Sequence, residues 1–396
     1  MSRLRVGILT TGFPRFEGDL FGTFVLELAR ELAGSGAAVE VLAPHEGGVA
    51  TRETFGAVAV CRFRYFWPAK RQAVAYGGGI PTNLRTRWAA RLQVPFFLLG
   101  FWWSAFKLVR RAQVVHCHWT ITGLVGLLAT RLWRRPLVLS VRGSDIHLVD
   151  EGLLAVLHRR IYGRMDAVVA VSEDIGAKLA ACGVAPEKIK VVPNGVDSRF
   201  QPGDREEARR QLDLPEGDFI ALFVGLLVPV KGLDVLVDAV AGLPGDKPLC
   251  VLVGEGPEQP ELERIAAYRG IADRLCFVGR RPSDEIPLWM TAADALVLPS
   301  YSEGRPNVVL EAQACALPVV ATRVGGTPEL VEDRVTGLLV DSGDAEGLGE
   351  ALGRLRADAS LRTALGRAGR TQAESMTWAA SAEKMVAIYS DLAEAA

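Results

Sequence analysis

Cysteine is scarce and unpatterned: six thiols (Cys61, Cys117, Cys182, Cys250, Cys276, Cys315) are scattered through 396 residues, and no two form a C-x-x-C pair. Most stand in apolar runs, which argues against a disulfide scaffold and reads as reduced core residues of a cytosolic protein. The amino terminus, M-S-R-L-R-V-G-I-L-T-T-G-F-P-R-F, has too short an apolar run for a signal peptide and no small-residue cleavage site. A dinucleotide fingerprint is missing too. Gly254-Glu-Gly256-Pro257 lacks its third glycine and Thr10-Thr-Gly12-Phe-Pro14 supplies none, which counts against a hydride-transferring dehydrogenase. No D-x-D metal motif occurs. The net charge is only −1, which by itself calls for no nucleic acid or other polyanion.

Apolar residues make up 49% of the chain and charged ones 23%, the balance of a well-packed globular protein. Its length suits two domains of roughly 200 residues each. The near-neutral total hides an asymmetry. Residues 1–200 carry 26 Lys+Arg against 15 Asp+Glu, a net of +11, and the remainder 19 against 31, a net of −12. Residues 52–111 hold eleven Lys+Arg and one acid, Glu53. The amino-terminal half should therefore be drawn to something anionic.

Both halves alternate strand and helix patterns. The first half predicts strands at Val6–Thr10, Val39–Ala43, Gln113–His116, Leu137–Val141, Ala167–Val171 and Ile189–Val192. After the first strand, a helix places Phe21, Phe24, Leu28 and Leu32 on one face. The second half predicts strands at Phe219–Val224, Leu249–Gly254, Leu275–Val278, Ala295–Leu298 and Pro318–Ala321, with helices from Gly232, Pro260, Glu285 and Pro306. This rhythm implies an α/β chain of two parallel sheets, each covered on both faces. The turn-rich segment from Pro193 to Gly203 marks the boundary. Ligands in such sheets bind beyond the carboxyl ends of the strands, so a cleft between the domains is the expected site.

The densest constellation is Ser300–Ala312, S-Y-S-E-G-R-P-N-V-V-L-E-A, directly after a strand. Pro306 suits a helix's first turn. The amides of Asn307, Val308 and Val309 then face out of the helix mouth, which favours an anion such as phosphate. Glu311 falls on the same face as Asn307 and Val308 and leans back toward that mouth. Glu303 supplies a second acceptor from the preceding loop. Two acidic acceptors beside an anion-binding helix end suit a molecule with both hydroxyls and phosphates, as a nucleotide sugar has. Two isolated glutamates could equally be solvated acids. A hydrolase pair would need a fixed carboxylate separation, which sequence does not show.

The E-x(7)-E spacing of Glu303 and Glu311 resembles the signature of the family-4 retaining glycosyltransferases of GT-B fold, bacterial or archaeal type. The resemblance covers nearly the whole chain. V-P-N-G-V-D at 192–197 looks like the family's interdomain segment, and F-V-G-L-L-V-P-V-K-G at 223–232 like its donor-phosphate loop. V-V-A-T-R-V-G-G-T-P-E at 319–329 and T-G-L-L-V at 336–340 match its carboxyl-terminal pattern. It implies two Rossmann-like domains facing a central cleft: residues 1–195 for the acceptor, 196–375 for the nucleotide sugar, and a helix at 376–396 returning to the first. It also implies roles. Glu311 would bind ribose hydroxyls, Glu303 the hydroxyls of the transferred sugar, and Lys231 the diphosphate. Arg280 sits where the family holds the base, and Gly22 where backbone approaches the donor. By themselves Lys231 could be a solvated lysine and Gly22 a helix-entry glycine.

Two departures stand out. Leu226 occupies the position after the glycine where the family usually has Arg, leaving Arg15, Arg142 or Arg305 as candidate substitutes. Arg142-Gly-Ser-Asp145 resembles an H-G-[ST]-D segment with His replaced, so Arg142 would bring a permanent charge near the sugar. Asp145 reads as a loop-structuring acid. His116-Cys-His118 could ligate metal, but no cluster completes a site; His118 is either a cleft residue touching sugar or acceptor, or structural.

The resulting expectation is a metal-independent, retaining transfer from a nucleoside-diphosphate-sugar co-substrate, with no other cofactor, onto a glycan or lipid-linked acceptor. A nucleotide-sugar epimerase and a non-catalytic donor-binding subunit are the alternatives. Val94–Phe106 (V-P-F-F-L-L-G-F-W-W-S-A-F), flanked by Arg85, Arg87, Arg91, Lys107, Arg110 and Arg111, is too short to span a bilayer, which needs ~20 apolar residues. It is either a buried helix or an interfacial segment on anionic lipid, placing the protein in the cytoplasm, at the inner face of the membrane in the second case.

Overall fold

The computed structural model describes residues 3–19, 21–143 and 152–395. Ser144 and Asp145 lie outside the described residues. The chain divides into two compact units: unit 1 comprises Met1–Asn194 with Trp378–Ala396, and unit 2 comprises Gly195–Thr377.

Unit 1 is built on an eight-stranded sheet in the order β3-β4-β2-β1-β5-β6-β7-β8. The strands are β1 Arg5–Leu9, β2 Ala38–Pro44, β3 Arg52–Phe55, β4 Val58–Phe63, β5 Val114–His118, β6 Leu137–Val141, β7 Ala167–Ala170 and β8 Ile189–Val191. Central strands such as β5 and β6 are buried along their whole length, and so are rich in apolar residues, interrupted by the buried His116, His118 and Ser140. The sheet is not wholly parallel as expected. β3 runs antiparallel to β4 at the edge, a hairpin closed by Gly56 at φ 61. The edge strand β3, R-E-T-F, is mostly polar and gives no apolar period, so the hairpin escaped the pattern reading.

One face of this sheet is covered by α1 (Thr23–Gly34) and α14 (Trp378–Glu394), whose Trp378, Ala382, Met385 and Tyr389 join the core. Phe21 precedes α1 and does not belong to it. The other face packs against α3 (Trp88–Val109), α4 (Thr120–Thr130), α5 (Gly152–Gly163) and α6 (Glu173–Ala181), with α2 (Gly79–Thr86) leading into α3. The aromatic stretch is thus the middle of a 22-residue helix, longer than the run suggested, and by length and composition alone it could cross a membrane. Phe97, Phe101, Ala105 and Leu108 nevertheless lock it to the core of unit 1.

Unit 2 has a six-stranded, fully parallel sheet in the order β11-β10-β9-β12-β13-β14. Its strands are β9 Ile220–Val224, β10 Leu249–Val253, β11 Leu275–Gly279, β12 Ala295–Leu298, β13 Val319–Thr322 and β14 Leu338–Val340. Its helices are α7 Arg205–Gln211, α8 Leu233–Gly242, α9 Gln259–Tyr268, α10 Ile286–Ala292, α11 Asn307–Ala314, α12 Ala345–Ala357 and α13 Ala359–Glu374. Fully buried side chains from β9, β10, β12 and β13 form the centre of its core.

Candidate active site

In an open parallel sheet, a crevice opens beyond the carboxyl ends of the strands where the chain reverses its direction across the sheet. In unit 2 that switch falls between β9 and β12; in unit 1 it falls between β1 and β5. Most of the residues singled out from sequence gather at one of these two points.

In unit 2 the loops after β9 and β12 are clipped together by backbone. The Tyr301 amide donates to the Val230 carbonyl at 2.8 Å. Gly232, at φ 61, lies so close to Pro299 that a β-carbon would collide with the Pro299 carbonyl oxygen. This juxtaposition brings Lys231 to Glu303: Nζ donates to Oε1 at 2.6 Å, and the same oxygen accepts from Ser300 Oγ at 2.6 Å. Both partners of the ion pair are mostly covered, with side chains 23% and 10% exposed, so the attraction is less screened than at an open surface. The loop after β13 braces the cluster from behind. Thr322 Oγ1 donates to the Ser300 carbonyl at 2.6 Å, and the Gly326 amide to the Gly304 carbonyl at 2.9 Å.

Pro306 is the residue before α11, and Asn307 opens the helix. The Val309 amide donates to the Pro306 carbonyl at 3.1 Å and its side chain is buried. It is therefore not one of the open donors expected at the mouth, because the first turn already closes on that carbonyl. Asn307 and Val308 remain half-buried there. Glu311 sits one turn further on, with no protein hydrogen bond to its carboxylate among the described residues. Burial pushes that carboxyl up to about 7; the Arg199 guanidinium opposes the rise and Asp197 adds to it.

The candidate substitutes for a cation at Leu226 are occupied elsewhere. Leu226 itself is 61% exposed. Arg15 is held by Asp19 and Glu46, each at 2.7 Å. Arg305, beside Glu303, is buried, approaches Met376 Sδ at 3.3 Å, and is lowered to about 10 by burial. Arg280, just past β11, faces Glu255 at 3.8 Å.

In unit 1, Gly22 precedes α1 at φ 73, and a β-carbon there would collide with the Gly12 carbonyl. It is thus required both for its left-handed backbone and for a close approach. His118 ends β5, fully buried, with neither ring nitrogen hydrogen-bonded. Its ring lies 4.2 Å from that of His116, which is held between Ser140 Oγ (2.7 Å) and the Tyr389 hydroxyl (2.6 Å). Burial drives both imidazoles well below their usual range, His116 to about 3, with the Arg142 charge adding to the effect. They are neutral at physiological pH. Trp119 follows at φ 70, an uncommon value for a non-glycine residue. Arg142, at the end of β6, lies 3.7 Å over the Phe24 ring and donates to Asn194 Oδ1 at 3.2 Å. Among the described residues no cluster of three or more His, Cys, Asp and Glu could hold a metal ion.

Residues 21–200 match the family described as Glycosyltransferase Family 4, and residues 204–372 that described as Glycosyl transferases group 1. The D-inositol 3-phosphate glycosyltransferase of Kribbella flavida is 32% identical, over 94% of this chain and 91% of its own length. That of Salinispora tropica is 35% identical over 73% of this chain and 66% of its own. The chain is a family-4 glycosyltransferase. Its fold is GT-B: sucrose-phosphate synthase from Thermosynechococcus elongatus matches with a TM-score of 0.82 at 24% identity over the whole of both chains. Anabaena HepE in complex with UDP-glucose matches with 0.78 at 21% identity, covering 98% of this chain and all of the other.

In this glycosyltransferase the sequence reading passed over several residues that shape the two clusters. Ser300 orients Glu303, Phe24 carries Arg142, Arg199 tunes Glu311, and Tyr389 fixes His116. Ser300 stood in the quoted motif. The others act across long sequence separations, for which a single chain carries no signal.

Proposed function

We propose that the unit 2 cluster binds a nucleoside-diphosphate sugar and that the enzyme transfers the sugar to a hydroxyl with retention and without a metal. The carrying observation is the convergence of Lys231, Glu303 and Ser300 at the switch point, next to the mouth of α11 and the unpartnered carboxylate of Glu311. Lys231 and the helix end supply positive potential where a diphosphate leaving group gains negative charge, the task a metal performs elsewhere. Glu311 suits ribose hydroxyls and Glu303 those of the sugar, with Arg280 beside the base. In the proposed step the bond from the anomeric carbon to phosphate oxygen breaks while the acceptor oxygen bonds on the same face. The acceptor's proton passes to the departing phosphate, and no covalent enzyme intermediate forms. From unit 1, Gly22 would let backbone approach the donor, Arg142 would set its charge near the transferred sugar, and His118 would touch sugar or acceptor.

For the acceptor we favour a lipid-linked or cell-envelope glycan at the inner face of the membrane, in keeping with the basic amino-terminal half. The names of the curated relatives favour a second reading, a phosphorylated polyol of the D-inositol 3-phosphate kind, which is equally anionic. Calorimetry with UDP-glucose and GDP-mannose, then transfer assays on both acceptor classes, separates them. Lys231→Ala should leave the fold intact and reduce turnover at least a hundredfold; unchanged turnover refutes its role. Turnover should survive EDTA, and loss restored by Mn²⁺ overturns the metal-free step. Donor binding without transfer to any acceptor leaves a non-catalytic subunit, and donor conversion without acceptor an epimerase.

A further inference from the structure

The outer side of α3 is unlike the rest of the surface. At about 100° per residue, Trp88, Leu92, Phe96, Leu99 and Trp103 fall within an arc of about 80°. Each is at least 50% exposed. The opposite arc, with Gln93, Phe97, Phe101, Ala105 and Leu108, is buried in unit 1. Gln93 is tied down as well, accepting from the Ala73 amide at 3.0 Å and donating to the Arg71 carbonyl at 2.8 Å. The helix cannot leave the fold to span a bilayer without dismantling that core, so its apolar row stays on the surface.

Neighbouring elements broaden the row. Phe106 stacks on Trp103 at 6.2 Å and meets Trp133 at 6.0 Å, next to the exposed Leu128 and Leu132 of α4 and its end. Phe66 meets Phe96 at 6.3 Å, and its neighbour Trp67 is 87% exposed. Single exposed apolar residues are ordinary; a continuous aromatic and aliphatic row is not. The charge is one-sided too. Residues 54–144 contain fourteen Lys+Arg and no Asp or Glu. Arg85, Arg87, Lys107, Arg110, Arg131 and Arg134 are exposed and form no ion pair among the described residues. Lys107 Nζ lies 5.0 Å from the Trp103 ring, so cation and aromatic occupy the same patch.

We propose that this face of α3 and α4 docks on an anionic lipid bilayer, its tryptophans and leucines at headgroup depth and its arginines on lipid phosphates. Aromatic belts flanked by cations are what an interfacial segment requires. A second copy of the chain fits the patch poorly, because a two-fold contact would set one predominantly cationic surface against another. The proposal deepens the acceptor reading above by naming the surface that brings the enzyme to a lipid, and its test does not depend on transfer.

The test is co-sedimentation of the full chain with vesicles of phosphatidylcholine alone or with phosphatidylglycerol added. Wild type should bind the anionic vesicles, and more weakly as salt rises. Leu99→Glu with Trp103→Glu should abolish binding, and each of Arg131→Glu and Arg134→Glu should weaken it about fivefold or more. Tyr268→Glu, at an 84% exposed position of unit 2, should bind as wild type does. Circular dichroism and donor calorimetry on the same variants should be unchanged, which separates loss of docking from loss of fold or of donor binding. Absence of wild-type binding to anionic vesicles, or equal binding by the face variants, overturns the proposal. So does a concentration-dependent dimer in sedimentation velocity that the same substitutions abolish.

Discussion

Glu311 is half-buried, with no protein donor on its carboxylate among the described residues, and burial raises its pKa from 4.5 to about 7. Its folded value lies above its unfolded one, so the folded state holds the proton more tightly. Below about pH 4.5 both states are protonated and the group is neutral toward stability. As pH rises from there to 7, stability falls by up to about 3 kcal/mol, and the penalty is complete above 7. Glu311→Gln, which keeps the shape without the charge, should therefore raise the melting temperature at pH 8 and leave it little changed at pH 4.5. The same substitution should weaken donor binding at least tenfold at pH 8, because an amide is a poorer partner for paired hydroxyls. A melting temperature that responds equally at both pH values would remove the linkage. Gly325 poses a simpler case. A β-carbon there meets the Glu303 carbonyl oxygen, a backbone atom that cannot step aside, and φ is 51. Gly325→Ala should displace the loop carrying Glu303, costing about 1–3 kcal/mol in denaturant unfolding and most of the donor affinity.

Among the elements, α14 does more than cover a sheet. Its Tyr389 hydroxyl bonds His116 Nδ1 inside the core, and the His116 ring packs against that of His118. Tyr389→Phe should leave a buried nitrogen unpaired and cost about 1–3 kcal/mol. If His118 serves the acceptor end, the variant should also raise the acceptor KM while leaving donor affinity, measured by calorimetry, unchanged. Wholly buried strands were legible in sequence: β6 and β12 run over Leu137–Val141 and Ala295–Leu298 as expected, because such strands are made almost entirely of apolar residues. The hairpin of β3 and β4 and the short β14 were not read: β3 is mostly polar, and the three residues of β14 are too few to show a period. For α3 the pattern caught the aromatic centre and missed the extent, because its two faces differ in burial while both are apolar.

Across the molecule, the two switch points organise what the motifs only suggested. The E-x(7)-E spacing and the V-K-G loop stood out in sequence as candidate donor-binding elements, yet only strand order brings Lys231 within 2.6 Å of a residue 72 positions away. The Val309 amide went the other way: sequence counted it as an open donor, and the helix's own first turn uses it. The site was therefore legible where its parts are local and hidden where they meet through topology. One further expectation concerns the last helix. A chain ending at Thr377 would retain all of unit 2 and leave the α1 face of the unit 1 sheet partly bare. It should precipitate or bind an apolar dye when overproduced, while the full chain stays clear.

That arrangement also bears on how the polypeptide is made. The strands of unit 1 are synthesised before unit 2, yet Trp378, Ala382, Met385 and Tyr389, which complete their core, follow the whole of unit 2 in the chain. Unit 2 can close its own sheet meanwhile, so the unit whose strands are made earlier is the one that must wait to finish folding.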